Sequence, residues 1–327
     1  MTKRPNTEDI FRIDSEESFL DFALAVFHYQ YETNAVYGEF CRQVGKSPNN
    51  VKDVEDIPFL PISFFKSHEV YSGEKGSLIF TSSGTTGQIT SKHFVQEPSI
   101  YEESFLRAFE DVYGSTKGKC ILGLLPSYLE REGSSLVYMV DQLISKSENS
   151  KSGFYLKKYE AFCERVNEAI ESGDEVIIFG VSYALLDLAE GLKPDLSNAI
   201  VIETGGMKGQ RKEISKKEMH SILKEGLNLR KVHSEYGMTE LLSQAYSEGD
   251  ELFHTPSWMK IMLRQVNDPF SYTTSKTGGI NVIDLANIDS CAFIATEDLG
   301  RFEGDSFKVL GRSQAADIRG CNLMYDY

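Results

Sequence analysis

Between residues 119 and 225, short apolar runs alternate with longer amphipathic ones. KCILGLL (119–125), EVIIFG (175–180) and AIVIE (199–203) are apolar at their centres and too short for helices. Such runs fit strands covered on both faces. Segments 134–146, 158–171, 183–191 and 216–225 instead space their apolar residues three and four apart, the helical period. Strands that alternate with helices pair as a parallel sheet with helices packed against it. SLIF (77–80) and a helical segment over 98–113 precede this stretch. After about residue 277 the helical pattern stops, and GINVIDL (279–285), CAFIAT (291–296) and FKVLG (307–311) follow as strand candidates. The expected fold class is therefore α/β. An α/β core of mostly parallel sheet and helices is expected over 1–277, a β-rich subdomain of the same core over 278–311, and a short hinge-like tail over 312–327.

The N-terminal third opens with a helix whose Phe19, Phe22, Ala23, Val26, Phe27 and Gln30 share one face, with Glu16 and Glu17 near its start. DIPFLPISFF (56–65) carries two prolines and reads as extended chain. Cys41, Cys120, Cys163, Cys291 and Cys321 are scattered, with no C-x-x-C or Cys/His cluster, so the pattern supports neither a disulfide framework nor a zinc site. The first four lie in apolar patterns and read as core.

Charge narrows the partners. Lys plus Arg number 34 and Asp plus Glu 49, a formal charge of −15. So acidic a chain is a poor sequence-independent binder of nucleic acid or anionic lipid. No stretch approaches the roughly 18 apolar residues that span a membrane. The first residues have a basic pair but no apolar run behind it, unlike a secretory signal. The expectation is a cytoplasmic protein without a membrane span and without nucleic acid as a partner.

The most informative segment follows SLIF. There Ser82, Ser83, Gly84, Thr85, Thr86 and Gly87 follow Thr81. Glycine lets the backbone turn its N–H groups inward, and the hydroxyls add donors; together they can surround phosphate oxygens. It is not a Walker loop, since no Lys-Ser/Thr pair follows the second glycine, and G-x-G-x-x-G is absent from it. Composition alone leaves a plain Ser/Thr/Gly surface turn open.

Further segments follow strand-like runs in order: Glu203-Thr204-Gly205-Gly206-Met207, then Tyr236-Gly237-Met238-Thr239-Glu240, then Thr296-Glu297-Asp298-Leu299-Gly300, then Gly311-Arg312-Ser313. A flat phenol ring suits a purine face. A carboxylate suits a hard cation bridging phosphates, and another is a natural acceptor for a vicinal diol.

In this order the set resembles the adenylate-forming superfamily of acyl-CoA synthetases, luciferase-type enzymes and nonribosomal adenylation domains, over roughly residues 56–327. The resemblance implies ATP and Mg²⁺ as cofactors. It implies the 82–87 loop on the phosphates, Gly205 and Gly206 beside the adenine and the acyl group, and Tyr236 stacked on adenine with Gly237 behind it. Thr239 would contact the α-phosphate and Glu240 would help hold Mg²⁺, the only metal ligand assigned. Asp298 would bind the ribose hydroxyls and Arg312 the ribose or phosphates.

Two departures stand out. The usual C-terminal lid with its catalytic lysine has no counterpart in the fifteen residues after Arg312, and Lys92 is displaced from the family's loop position. Among Lys66, Lys92, Lys208 and Arg211, Lys208 is the first choice to supply the missing positive charge, because it follows the Gly-Gly turn.

A short chain of this kind resembles the LuxE-type acyl-protein synthetases. LPISFFKS (60–67), LLPSYLEREGSSLVYMV (124–140), ETGGMKGQRKEI (203–214) and DIRGCNLM (317–324) strengthen that resemblance. It implies activation of a carboxylic acid, fatty by family habit, to acyl-AMP, then transfer to a cysteine matching Cys321 and on to a reductase or transferase. A basic neighbour, Arg319, would favour the thiolate. Phe64, Tyr128, Leu129, Ser134, Ser135 and Tyr138 lie in segments that would approach the acyl group. Three alternatives stay open: a nucleotide- or acyl-AMP-binding subunit without catalysis, a ligase passing the acyl group to CoA, and one passing it to a carrier protein. KEISKKE (212–218) reads as a solvated face.

Overall fold

A computed structural model describes residues 2–82, 89–126, 133–205, 211–212, 214–274 and 276–312. The chain forms two compact units. One comprises residues 1–77, 93–97 and 254–327, and the other 78–92 and 98–253.

The first unit begins with α1 (Glu16–Thr33), started by a Ser15/Ser18 capping box. Its buried face is Phe19, Ala23, Val26, Phe27, Tyr29 and Gln30, so Phe22 of the expected set lies half-buried at the margin. Asn34 ends α1 and its side chain caps α2 (Ala35–Gln43), accepting from the Tyr37 amide. Then follow β1 (Leu60–Pro61) and α3 (Phe64–Ser67). The segment expected to be wholly extended is therefore only partly so. Its prolines hold 58–61 extended, and the chain turns helical once they are passed.

After β2 (Leu78–Thr81) and β3 (Lys92–Val95) comes α4 (Pro98–Tyr113), which starts on a proline whose missing N–H costs a helix nothing there. The second unit continues with β4 (Cys120–Leu124), α5 (Ser135–Ser147), β5 (Gly153–Phe154), α6 (Tyr159–Glu171) and β6 (Val176–Val181). Next are α7 (Ser182–Glu190), β7 (Ala199–Thr204), α8 (Lys216–Gly226), β8 (His233–Tyr236) and β9 (Ala245–Ser247). Its sheet has the order β5-β4-β6-β7-β8-β9, parallel throughout except for β9. Every residue of β4 and β6 is buried, as strands covered on both faces require. The alternation in the sequence thus gives the parallel sheet it implies.

The rest of the first unit is strand-rich: β10 (Met259–Gln265), β11 (Asp268–Tyr272), β12 (Gly278–Asp284), β13 (Phe293–Glu303) and β14 (Ser306–Arg312). The sheet runs β1-β13-β12-β10-β11, with β14 also on β13. It is antiparallel apart from β1 on β13. Gln30 donates to the Asn287 and Ile288 carbonyls at 3.0 and 2.9 Å and accepts from the Ala292 amide. Asn34 donates to the Ser290 carbonyl at 2.9 Å. Buried amides thus tie α1 to the turn between β12 and β13. Cys41, Cys120 and Cys291 are buried as expected, but Cys163 is only half-buried, at the margin of the α6 apolar face.

Candidate active site

In a parallel sheet all strands end on one side, and the loops leaving that edge are where α/β folds bind ligands. Here β7 ends at Thr204, directly before Gly205, and β8 ends at Tyr236, directly before Gly237. Two of the predicted motifs therefore leave neighbouring strands on the same edge. β2 lies outside this sheet, paired with β3. The Thr81 amide donates to the carbonyl of Gly133, in the segment that follows β4, at 2.7 Å. The mouth of the loop is closed by Ser82 and Ser91: the Ser82 amide donates to the Ser91 carbonyl at 3.2 Å, and the Ser91 amide to Ser82 Oγ at 3.0 Å. Ser82 Oγ thus already serves the backbone. Ser83, Gly84, Thr85, Thr86, Gly87, Tyr128, Leu129, Gly206, Lys208, Arg319 and Cys321 lie outside the described residues.

Around β8 the geometry is specific. Thr204 Oγ1 donates to Glu235 Oε2 at 2.6 Å. A side chain at position 237 would run into the other oxygen of that carboxylate, so Gly237 is the residue that lets Glu235 fold back over the strand end. Gly205 has φ of 56°, the left-handed region, where glycine avoids a steric penalty. The Tyr236 ring is 8% exposed and packs at 5.9 Å from Phe253. The chain then turns, with the Leu241 amide donating to the Met238 carbonyl at 3.1 Å. This turn leaves Thr239 half-buried and Glu240 6% exposed.

Beside them Glu203 is buried at the end of β7. Ser182 Oγ donates to Glu203 Oε2 at 3.3 Å, and Lys216 Nζ lies 2.6 Å from Oε1. Burial pushes this carboxyl up, but the Lys216 ammonium, joined by His220, outweighs it and holds the group down at about 2. Lys216 belongs to the run expected to be a solvated face; the helix register instead turns it inward from the first position of α8, behind the Ser215 cap. A positive charge of that run was thus missed, and the signal was the Ser215/Glu218 spacing of a helix start.

In the first unit, Asp298 on β13 and Arg312 on β14 face each other in register. Arg312 Nε is 3.9 Å from Asp298 Oδ1. Two residues predicted for the ribose are therefore neighbours. Beneath them the Asp298 amide donates to Thr296 Oγ1 at 3.1 Å, and Thr296 Oγ1 donates to the Ile280 carbonyl at 2.8 Å. Arg264 donates to the Thr296 and Ile280 carbonyls and to Asn281 Oδ1, at 2.6, 2.8 and 2.8 Å. The turn at Asp298 thus sits on a bonded support that sequence patterns do not reveal.

Other candidates have partners of their own. Arg211 is taken up by Asp187 and Glu190, at 2.6 and 2.8 Å. Phe64 lies in the first unit, stacked on His68 at 5.1 Å. Tyr138 belongs to the second unit, in an aromatic group with Phe80 and Tyr101, and its hydroxyl donates to Glu102 at 2.7 Å. His233 is buried and shares a hydrogen bond with the Tyr113 hydroxyl at 3.2 Å. Among the described residues no group of three or more His, Cys, Asp or Glu could hold a metal ion, and no helix is long and apolar enough to cross a membrane.

A family model described as acyl-protein synthetase, LuxE, matches residues 11–326. Among solved structures, the open conformation of 2-hydroxyisobutyryl-CoA ligase in complex with 2-HIB-AMP and CoA is 13% identical. It superposes with a TM-score of 0.65 over 91% of this chain and 74% of that one. The same ligase in its thioesterification state gives 0.66 at 13% identity, over 91% and 68%. A fatty acyl-adenylate ligase from L. pneumophila, in complex with acyl adenylate and pyrophosphate, gives 0.51 at 11% identity, over 75% and 52%. At such identities the likeness is one of fold, and it is the adenylate-forming fold expected from the motifs. No curated protein matches the chain.

Proposed function

Because the chain belongs to the LuxE acyl-protein synthetase family, and is thereby an AMP-forming ligase, we propose that it activates a fatty acid with ATP and takes the acyl group onto its own Cys321. A single observation carries the nucleotide part of this reading: β7 and β8 end side by side at one sheet edge, with Gly205 directly beyond β7 and Tyr236, Thr239 and Glu240 at and beyond the end of β8.

The residues fit ATP. Tyr236 offers a largely buried ring for adenine. Asp298 and Arg312 stand side by side as acceptor and donor for ribose hydroxyls. Glu240 fits magnesium as a single protein carboxylate, because Mg²⁺ is commonly held by one or two carboxylates and the substrate phosphates. Bound there, the ion would neutralise phosphate charge.

In the first step a carboxylate oxygen bonds to the α-phosphorus, and the bond to the bridging oxygen breaks, releasing pyrophosphate. The protein contributes alignment and charge stabilisation. In the second step the Cys321 thiolate bonds to the acyl carbon, and AMP leaves with the electron pair of the broken anhydride bond. A reductase or transferase then takes the acyl group from the thioester.

The test is intact mass after incubation with ATP, Mg²⁺ and a series of linear and aryl acids, for wild type and Cys321→Ser, with and without hydroxylamine. The expected result is a hydroxylamine-labile gain that a fatty acid produces and the variant lacks. Pyrophosphate release without an adduct would move the acceptor to CoA or a carrier protein. Nucleotide binding without pyrophosphate would leave only a binding subunit.

A further inference from the structure

A buried carboxylate needs a partner, and the partner chosen reveals what the charge is for. Lys216 pairs with Glu203, yet the same ammonium lies 4.8 Å from the centre of the Phe253 ring. That is the range of a cation–π contact, strengthened by desolvation. Phe253 is 2% exposed, and its ring also packs against Tyr236, with the ring planes tilted by 60°. One ammonium therefore joins three things: the end of β7 just before the Gly205 turn, the Phe253 ring, and through it the Tyr236 ring. Lys216 is itself set by the Ser215 cap, whose Oγ accepts from the Glu218 amide at 3.1 Å, and its side chain is 26% exposed. A lysine needed only for solubility would not be held at both ends.

His220 does not replace it. Its Nε2 is 3.8 Å from Glu203 Oε1, too long for a hydrogen bond, and has no hydrogen-bond partner among the described residues.

We propose that Lys216 is a positioning residue for the nucleotide base, clamping the Glu203–Gly205 turn to the Phe253–Tyr236 ring pair so that the base-binding surface is preformed. The inference rests on the reading of Tyr236 as the adenine platform. Loss of the charge frees both sides of the clamp at once. The cost falls first on base binding, because both partners of the ammonium, Glu203 and Phe253, border Gly205 and Tyr236.

The experiment compares wild type, Lys216→Met and Lys216→Arg. Met keeps the aliphatic length without the charge, and Arg keeps both the ion pair and the ring contact. Calorimetry with AMP gives base binding directly. ATP–pyrophosphate exchange with a fatty acid gives KM for each substrate, and the thermal midpoint reports folding. The expected result is an AMP affinity about tenfold weaker in Lys216→Met, a similar rise in KM for ATP, KM for the acid within about twofold, and recovery to within about threefold in Lys216→Arg. Unchanged AMP affinity in Lys216→Met, or equal loss for ATP and acid with a lowered midpoint, overturns the inference and leaves the adenylation reading standing. No AMP binding and no exchange by wild type overturns both.

Discussion

Glu240 stands beyond the end of a parallel strand and is 6% exposed, whereas Arg312, at the end of an antiparallel hairpin, has a side chain 81% exposed. Asp298, its cross-strand neighbour, has a side chain 15% exposed. The parallel sheet presents its candidate groups already desolvated, on turns that leave adjacent strands. The hairpin presents a carboxylate on a bonded support and a guanidinium reaching into water. Groups fixed in a dry site are worth more to a reaction than groups that must first be ordered. The second unit should therefore carry the rate, and the hairpin should carry affinity in smaller amounts.

Substitutions can break that contrast. The largest effect is expected at Glu240: Glu240→Gln should lower kcat for ATP–pyrophosphate exchange about a hundredfold, about 2.7 kcal/mol of transition-state stabilisation. An effect below about threefold would remove Glu240 from the reacting centre. Next is the strand beneath Tyr236. Burial, aided by the Lys231 ammonium and opposed by Glu248, pushes the His233 imidazole down to about 4. The unfolded chain takes up this proton near 6.5, so the folded state is favoured above that pH, and the advantage is lost as pH falls from about 6.5 to about 4. Denaturant titrations should show a loss of about 2 kcal/mol across that window, and His233→Asn should flatten the slope. A smaller effect is expected at the hairpin. Asp298→Asn should raise KM for ATP about tenfold with kcat little changed, and Arg312→Ala about threefold, since exposed charges are screened. A fall in kcat with Asp298→Asn would erase the distinction between the two regions.

The legible parts of the molecule share one property: their signal is local. The apolar runs at 120–124, 176–181 and 199–204 are strands because both faces are covered, and alternation with helices implied their parallel pairing. The glycine-containing turns at Gly205 and Gly237 could be read because glycine is demanded where backbone or carboxylate crowds the chain. What escaped depends on distant partners. β11, not among the expected strands, contains Pro269, which an edge strand tolerates because the missing donor is not needed there. Lys216 looked like one charge in a polar run until the fold brought Glu203 and Phe253 to it. Arg264 became a support for Asp298 only through pairing with β12 and contact with β13.

The amide ties of α1 also bear on the order in which the chain is made. Gln30 finds its carbonyl partners 257 and 258 residues further on, at Asn287 and Ile288. Within the other unit, residues 98–253 form one uninterrupted stretch that contains every strand of the parallel sheet. On a ribosome this middle segment has all its sheet partners as soon as β9 emerges. The α1 helix can pack on α2 as soon as that helix follows, Phe27 against Tyr37, but the carbonyls that Gln30 needs arrive only with the turn after β12. Contacts so distant in sequence close slowly, so the part of the α1 face around Gln30 that meets the β12–β13 turn stays uncovered until late in translation, open to capture by a chaperone.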